Sequence, residues 1–168
     1  ASFFTFDTEG CIPLTSNFTD ISLINFGSVT NWNWNFGDGN TSASQYPSNT
    51  YVAPGLYTVS LSVTSDLGCT DDSLINAYIT VHPQSVADFS FSPSFAAPRD
   101  LITFINLSTN AASYKWYFGD GVSSILVDPI HIYAEEGTYS ITLIAISPNG
   151  CNDTVSFSIE IKRDNYFA

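Results

Sequence analysis

The run Trp34-Asn35-Phe36-Gly37-Asp38-Gly39 returns almost unchanged 82 positions later as Trp116-Tyr117-Phe118-Gly119-Asp120-Gly121, so the chain is written as a tandem repeat. The same offset joins Pro47 to Pro129, Tyr51 to Tyr133, Gly55 to Gly137, Tyr57 to Tyr139, Gly68 to Gly150 and Cys69 to Cys151. Upstream the offset is 86: Ala1-Ser2-Phe3 matches Ala87-Asp88-Phe89, and Phe18 to Ser22 matches Phe104 to Ser108. The first copy therefore carries four extra residues between Ser22 and Trp34, as an exposed loop does. Two units of roughly 80 residues result, each long enough for one core. We place them at 1–83 and 87–163, with a short linker at 84–86 and a C-terminal linker at 164–168.

Both copies alternate apolar and polar residues with period 2 between clusters of Gly, Pro, Asn, Asp and Ser, which predicts short antiparallel strands and almost no helix. Trp32, Trp34 and Phe36 alternate with Asn31, Asn33 and Asn35, and Tyr114, Trp116 and Phe118 repeat the pattern. Tyr57, Val59, Leu61 and Val63 form one face of a central strand, as Tyr139, Ile141, Leu143 and Ala145 do in the second copy. The last strand of each copy is read from Ile75, Ala77, Ile79 and Val81 and from Val155, Phe157, Ile159 and Ile161. A strand that is apolar on one face must bury it against a second sheet, so about seven strands per copy predict an all-β pair of sandwiches. The stiff connection Val81-His82-Pro83-Gln84-Ser85-Val86-Ala87 predicts an end-to-end arrangement.

In each copy the Asp of Gly-Asp-Gly, Asp38 or Asp120, follows a strand directly, and Asp38-Gly39 and Asp120-Gly121 suit the positive φ angles of a tight hairpin turn. Tyr57 and Tyr139 each open a core strand two residues after a Gly, where a hydroxyl bonds nearby backbone in the manner of a tyrosine corner.

The formal charge is −12, and residues 1 to 85 contain no Lys or Arg. Such a surface repels phosphate backbones and anionic lipid, so nucleic acid is not an expected partner. No apolar run is long enough to enter a membrane directly.

Trp-x-Phe-Gly-Asp-Gly followed by Pro47, Tyr51, Gly55 and Tyr57, with the same order at Pro129, Tyr133, Gly137 and Tyr139, resembles the PKD domain. The resemblance covers almost the whole chain and implies two immunoglobulin-like sandwiches without catalysis, in an extracellular protein. The endings Gly68-Cys69-Thr70-Asp71 and Gly150-Cys151-Asn152-Asp153 resemble PKD repeats of Bacteroidetes surface proteins, among them gliding-motility adhesins exported by the type IX secretion system. The tail Lys162 to Ala168 resembles the approach to the sorting domain of that system. The implied role is a spacer or adhesive segment at the cell surface. Its implied partners are neighbouring PKD repeats, a C-terminal sorting domain, surface polysaccharide and the secretion machinery. The alternative is a carbohydrate-binding accessory pair of a secreted hydrolase, with Tyr117 on the outer strand face and Trp32 on the core face.

Cys69 and Cys151 are equivalent in the repeat, whereas Cys11 lies opposite Ala97, so the expected disulfide joins Cys11 to Cys69 and leaves Cys151 free or bridged only between molecules. Closing that loop contributes roughly 2 to 4 kcal/mol and fits an oxidising compartment. Asp72-Ser73-Leu74 and Asp153-Thr154-Val155 resemble a Bacteroidetes O-glycosylation pattern, which makes Ser73 and Thr154 candidate glycan carriers beside their reading as turn hydroxyls. The Asn-x-Ser/Thr matches at Asn17, Asn40, Asn106 and Asn152 arise readily in so Asn- and Thr-rich a chain. No catalytic residues and no cofactor are assigned. Calcium at Asp66, Asp71 and Asp72 is the one cation reading, without an EF-hand loop and with only Asp153 kept in the second copy.

Overall fold

The computed structural model describes residues 1–163, and the linker assigned to 164–168 lies outside the described residues. The chain is all-β with no helix among the described residues, and it divides into one unit spanning Ala1–Pro83 and a second beginning at Gln84.

The first unit contains β1 (Phe3–Phe4), β2 (Glu9–Cys11), β3 (Leu14–Asn17), β4 (Thr19–Asp20), β5 (Val29–Asn35), β6 (Thr41–Ser42), β7 (Ser48–Tyr51), β8 (Gly55–Ser65) and β9 (Thr70–His82). Its main sheet has the order β2-β9-β8-β5-β6, and the ladders β3-β7 and β1-β4 form the opposing layer. The second unit contains β10 (Phe89–Ser92), β11 (Leu101–Asn106), β12 (Ser113–Tyr117), β13 (Ser123–Ser124), β14 (Ile130–Ile132), β15 (Gly137–Ile146) and β16 (Asp153–Ile161). Here the sheets are β13-β12-β15-β16 and β10-β11-β14.

Each core sits between its two layers because alternate residues of the long strands face inward. Trp34, Val59, Leu61 and Ile79 meet Phe18 and Tyr51 in the first unit, and Trp116, Ile141, Leu143 and Ile159 meet Phe104 and Tyr133 in the second. Both central indoles are fully buried, Trp34 ringed by Phe3 at 5.2 Å and Phe18 at 5.6 Å, Trp116 by Phe89 at 5.0 Å and Phe104 at 5.7 Å. Removing an indole from water covers on the order of 200 Å², worth about 5 kcal/mol. The indole N–H groups stay satisfied, Trp34 donating to the Ser44 carbonyl at 2.8 Å and Trp116 to that of Leu126 at 2.9 Å.

The alternation read for β9 fails at one place. Tyr57 pairs with Ile79 but Val59 pairs with Ile75, so β9 holds two extra residues opposite β8. Ala77 takes up the bulge with φ 49°, is exposed, and donates its N–H to the Thr58 hydroxyl at 3.3 Å. It therefore does not belong to the core face. β16 pairs with β15 without interruption. Phe157 is partly exposed, its ring resting 4.9 Å from that of Phe89.

The expected Cys11–Cys69 disulfide is not formed. Cys11 and Cys151 are each in a disulfide, and Cys69 carries a free, exposed thiol. Geometry forbids the expected pairing: Cys11 pairs with His82 at the C-terminal end of β9, whereas Cys69 immediately precedes its first residue, Thr70. At about 3.3 Å per residue the two cysteines lie roughly 40 Å apart, far beyond the reach of an S–S bond. Cys151, expected to be free, is buried. Under denaturing, non-reducing conditions one thiol per chain is expected to react with a thiol reagent. Peptide mapping should place the label on Cys69, and label on Cys11 or Cys151 would contradict the assignment.

Candidate functional site

The repeated Gly-Asp-Gly segment forms the tip of the β5–β6 hairpin and of its counterpart β12–β13. Phe36 N–H donates to the Asn40 carbonyl at 3.2 Å, and Phe118 N–H to that of Val122 at 3.1 Å. Both glycines of each turn have positive φ, 82° and 95° at Gly37 and Gly39, 85° and 90° at Gly119 and Gly121.

The aspartates are clamped from below. Asp38 accepts from the Asn40 backbone at 3.0 Å and from the side-chain amides of Asn40 at 3.0 Å and Asn49 at 2.7 Å. Asp120 accepts from the Val122 N–H at 3.0 Å, and its other oxygen lies 2.7 Å from His131 Nε2. The His131 ring stacks on Phe118 at 4.2 Å and meets Tyr133 edge-on at 4.6 Å. Asn49 and His131 are equivalent positions, on β7 and β14 between the repeated Pro and Tyr. Sequence reading of the motif gave neither of them a role. The signal was the 82-residue offset, which puts one inward polar side chain at the same place in both copies.

Burial of Asp120 pushes its carboxyl upward, but the Val122 amide and His131 outweigh this and hold it below the ordinary carboxylate value. A carboxyl depressed in the folded state stabilises the fold above its unfolded value, near pH 4, and that contribution disappears as pH falls through the lower, folded value. Asp120→Asn should therefore destabilise the second unit at pH 7 and narrow its gap to the parent chain below about pH 4. Equal losses at both pH values, read by thermal melts, would remove the carboxylate from this role.

A second layer of hydroxyls ties the turn to the core. Tyr51 donates to the Phe36 carbonyl at 3.2 Å and Tyr133 to that of Phe118 at 2.9 Å. Burial pushes the Tyr51 hydroxyl up to about 12 and raises that of Tyr133 as well. Tyr57 donates to the Ala53 carbonyl at 2.8 Å and Tyr139 to that of Glu135 at 3.1 Å, each closing a local corner.

The remaining candidates are scattered. Asp66 accepts from Ser28, while Asp71 and Asp72 are consecutive in β9 and point to opposite faces. Among the described residues, no group of three or more His, Cys, Asp and Glu is placed to hold a metal ion. Ser73 and Thr154 lie within β9 and β16 rather than in turns, Thr154 exposed and Ser73 half-buried. Trp32 is half-buried and donates to Asp20 at 2.7 Å, whereas Tyr117 is exposed with the Lys115 ammonium 5.0 Å from its ring centre.

Two aromatic-cored sandwiches, each locked by an Asp-centred hairpin and a tyrosine corner, define a class of immunoglobulin-like modules. The family model of the PKD domain matches residues 4–81 and 88–161, and the chain belongs to that family. Collagenase ColA of Bacillus cereus is 36% identical over 52 residues, 31% of this chain and 5% of that protein. Collagenase ColQ1 of Bacillus cereus is 38% identical over 50 residues, 30% of this chain. The chain thus spans about a twentieth (5%) of the length of the curated relatives it matches. The crystal structure of the PKD1 domain from the Vibrio cholerae metalloprotease PrtV has 28% identity and a TM-score of 0.43 over 48% of this chain and 99% of that one. A C-terminal fragment of intimin, solved with the intimin-binding domain of its translocated receptor, has 13% identity and a TM-score of 0.55 over 97% of this chain and 64% of that one. The likeness to intimin is one of fold alone.

Proposed function

We propose that the chain is a non-catalytic extracellular module pair, acting as a spacer and adding adhesive surface in a secreted cell-surface adhesin. The observation that carries this reading is how the motif uses its polar groups. Asp38 and Asp120 are occupied with the turn and with Asn49 and His131, so the motif serves the architecture of a self-contained module. Disulfide-bonded Cys11 and Cys151 support an oxidising, extracellular setting. The short Gly-Cys endings support a parent among gliding-motility adhesins of the type IX secretion system, attached at the outer membrane beside further PKD repeats and a sorting domain. Ser73 and Thr154 are the O-glycan carriers of this reading, to be checked by intact-mass and peptide analysis of protein from the native host.

Exchanging residues 1–163 of the parent protein for an unrelated pair of β-sandwich modules of equal length tests the spacer role. Display of the parent protein at the surface should survive the exchange while adhesion falls. Hydrolysis of any substrate that depends on side chains of this segment would sink the proposal.

A second reading, carbohydrate binding, is favoured by the exposed Tyr117 ring beside Lys115, with the Thr142 and Ser156 hydroxyls across the adjoining strands. Polysaccharide pulldown lost in Tyr117→Ala would move the conclusion to it.

A further inference from the structure

The two copies differ in polarity on the outer face of the sheet that carries β14. Leu101 and Ile132 are cross-strand partners there, with Ile105 and Ile130 beside them, and all four point outward with 50 to 58% of their surface exposed. At the equivalent positions the first unit has Thr15, Thr50, Thr19 and Ser48, with Thr15 paired to Thr50 as Leu101 is to Ile132. Upstream of β14, exposed Ile125-Leu126-Val127 stands where the first copy has Ala43-Ser44-Gln45, and the exposed Asp128 separates it from this face. The same fold in the same chain thus tolerates a polar face, so its aliphatic counterpart is not required for folding.

We propose that this face of the second unit packs against the same face of a second copy of the chain. The four side chains expose on the order of 400 Å² of apolar surface, the size of the largest patch on a typical monomer, which is often functional. Packed against a second copy, the two faces bury on the order of 800 Å² in total, the size of a weak, transient interface. No Asp, Glu, Lys or Arg stands among the outward residues of β10, β11 and β14, so a two-fold contact brings no like charges together at its centre. β14 also offers an open edge. Phe104 N–H bonds the Pro129 carbonyl, which turns the backbone groups of Ile130 and Ile132 away from β11, where they meet no partner among the described residues. A net charge of −12 disfavours an anionic membrane as the occupant and makes self-association stronger as salt rises.

Sedimentation velocity of the whole chain, in a series reaching roughly 0.5 mM at low and high salt, is the test. The expected result is a dimer with Kd below about 100 μM, tighter in high salt. The triple substitution Leu101→Thr, Ile130→Ser, Ile132→Thr installs the first unit's own residues and should weaken the dimer by at least about thirtyfold, with an unchanged circular dichroism spectrum. Ile105→Lys, which sets a charge on the same face, should do likewise and stands in if the triple variant misfolds. A parent chain that stays monomeric throughout overturns the proposal and leaves the face to another kind of partner. A dimer unmoved by both variants overturns it equally.

Discussion

Trp116→Ala is expected to lower the stability of the second unit by about 3 to 5 kcal/mol, the range for deleting a fully buried aromatic side chain. A domain of this size holds only about 5 to 15 kcal/mol in total, so much of its margin disappears. At roughly 4 to 8 °C per kcal/mol for so short a chain, the corresponding melting transition should fall by about 15 to 30 °C. The mechanism is specific: the indole is completely buried, touches Phe89 and Phe104, and satisfies the Leu126 carbonyl. Trp116→Phe keeps most of the packing but orphans that carbonyl, and should cost less, about 1 to 3 kcal/mol. Calorimetry can follow both. Tryptophan fluorescence adds a control, because Trp32 and Trp34 belong to the first unit and are the indoles left in either variant. A transition that moves by less than about 5 °C in Trp116→Ala would contradict the packing described.

The second large effect separates two glycines of one turn. Gly37→Ala should destabilise the first unit by about 3 kcal/mol or more, and Gly39→Ala by only about 1 to 2. Both residues have positive φ, which strains any alanine. At Gly37, however, an added Cβ would stand 2.5 Å from the Thr58 carbonyl oxygen, a backbone atom of the neighbouring strand β8. At Gly39 nothing lies within 4 Å. The second copy repeats the asymmetry, with Gly119 against the Ser140 carbonyl at 2.7 Å and Gly121 in open space. Asn tolerates the left-handed region, so Gly39→Asn should recover most of the loss while Gly37→Asn should not. Equal costs for the two alanine variants in denaturant unfolding would show that the turn is not pressed against β8.

The alternation of Trp32, Trp34 and Phe36 with asparagines was legible because a strand half-buried in a sandwich imposes period 2. The Asp-Gly turns were legible for a similar reason, since few residue pairs suit their backbone. Their partners Asn49 and His131 were not, because a hydrogen bond made across the fold leaves no local pattern. Cysteine pairing failed on the same ground: the repeat shows which cysteines are equivalent, not how far a thirteen-residue strand carries them apart. The β9 bulge hid behind a coincidence. Ile75, Ala77, Ile79 and Val81 alternate straight through it, because two extra residues leave the parity of the strand unchanged. Backbone pairing instead matches Val81 to Gly55 as it matches Ile161 to Gly137.

That bulge sets a rule for recombining the two copies. A chimaera that crosses over at Ile75 and Phe157, which face Val59 and Ile141, joins the sequences at an offset of 82. One that crosses over at Val81 and Ile161 must join them at 80. A graft at the wrong offset keeps every inward residue inward, yet slides the terminal strand one rung, about 7 Å, along its neighbour. Hydropathy plots of the two hybrids would look alike, and only one would close its core.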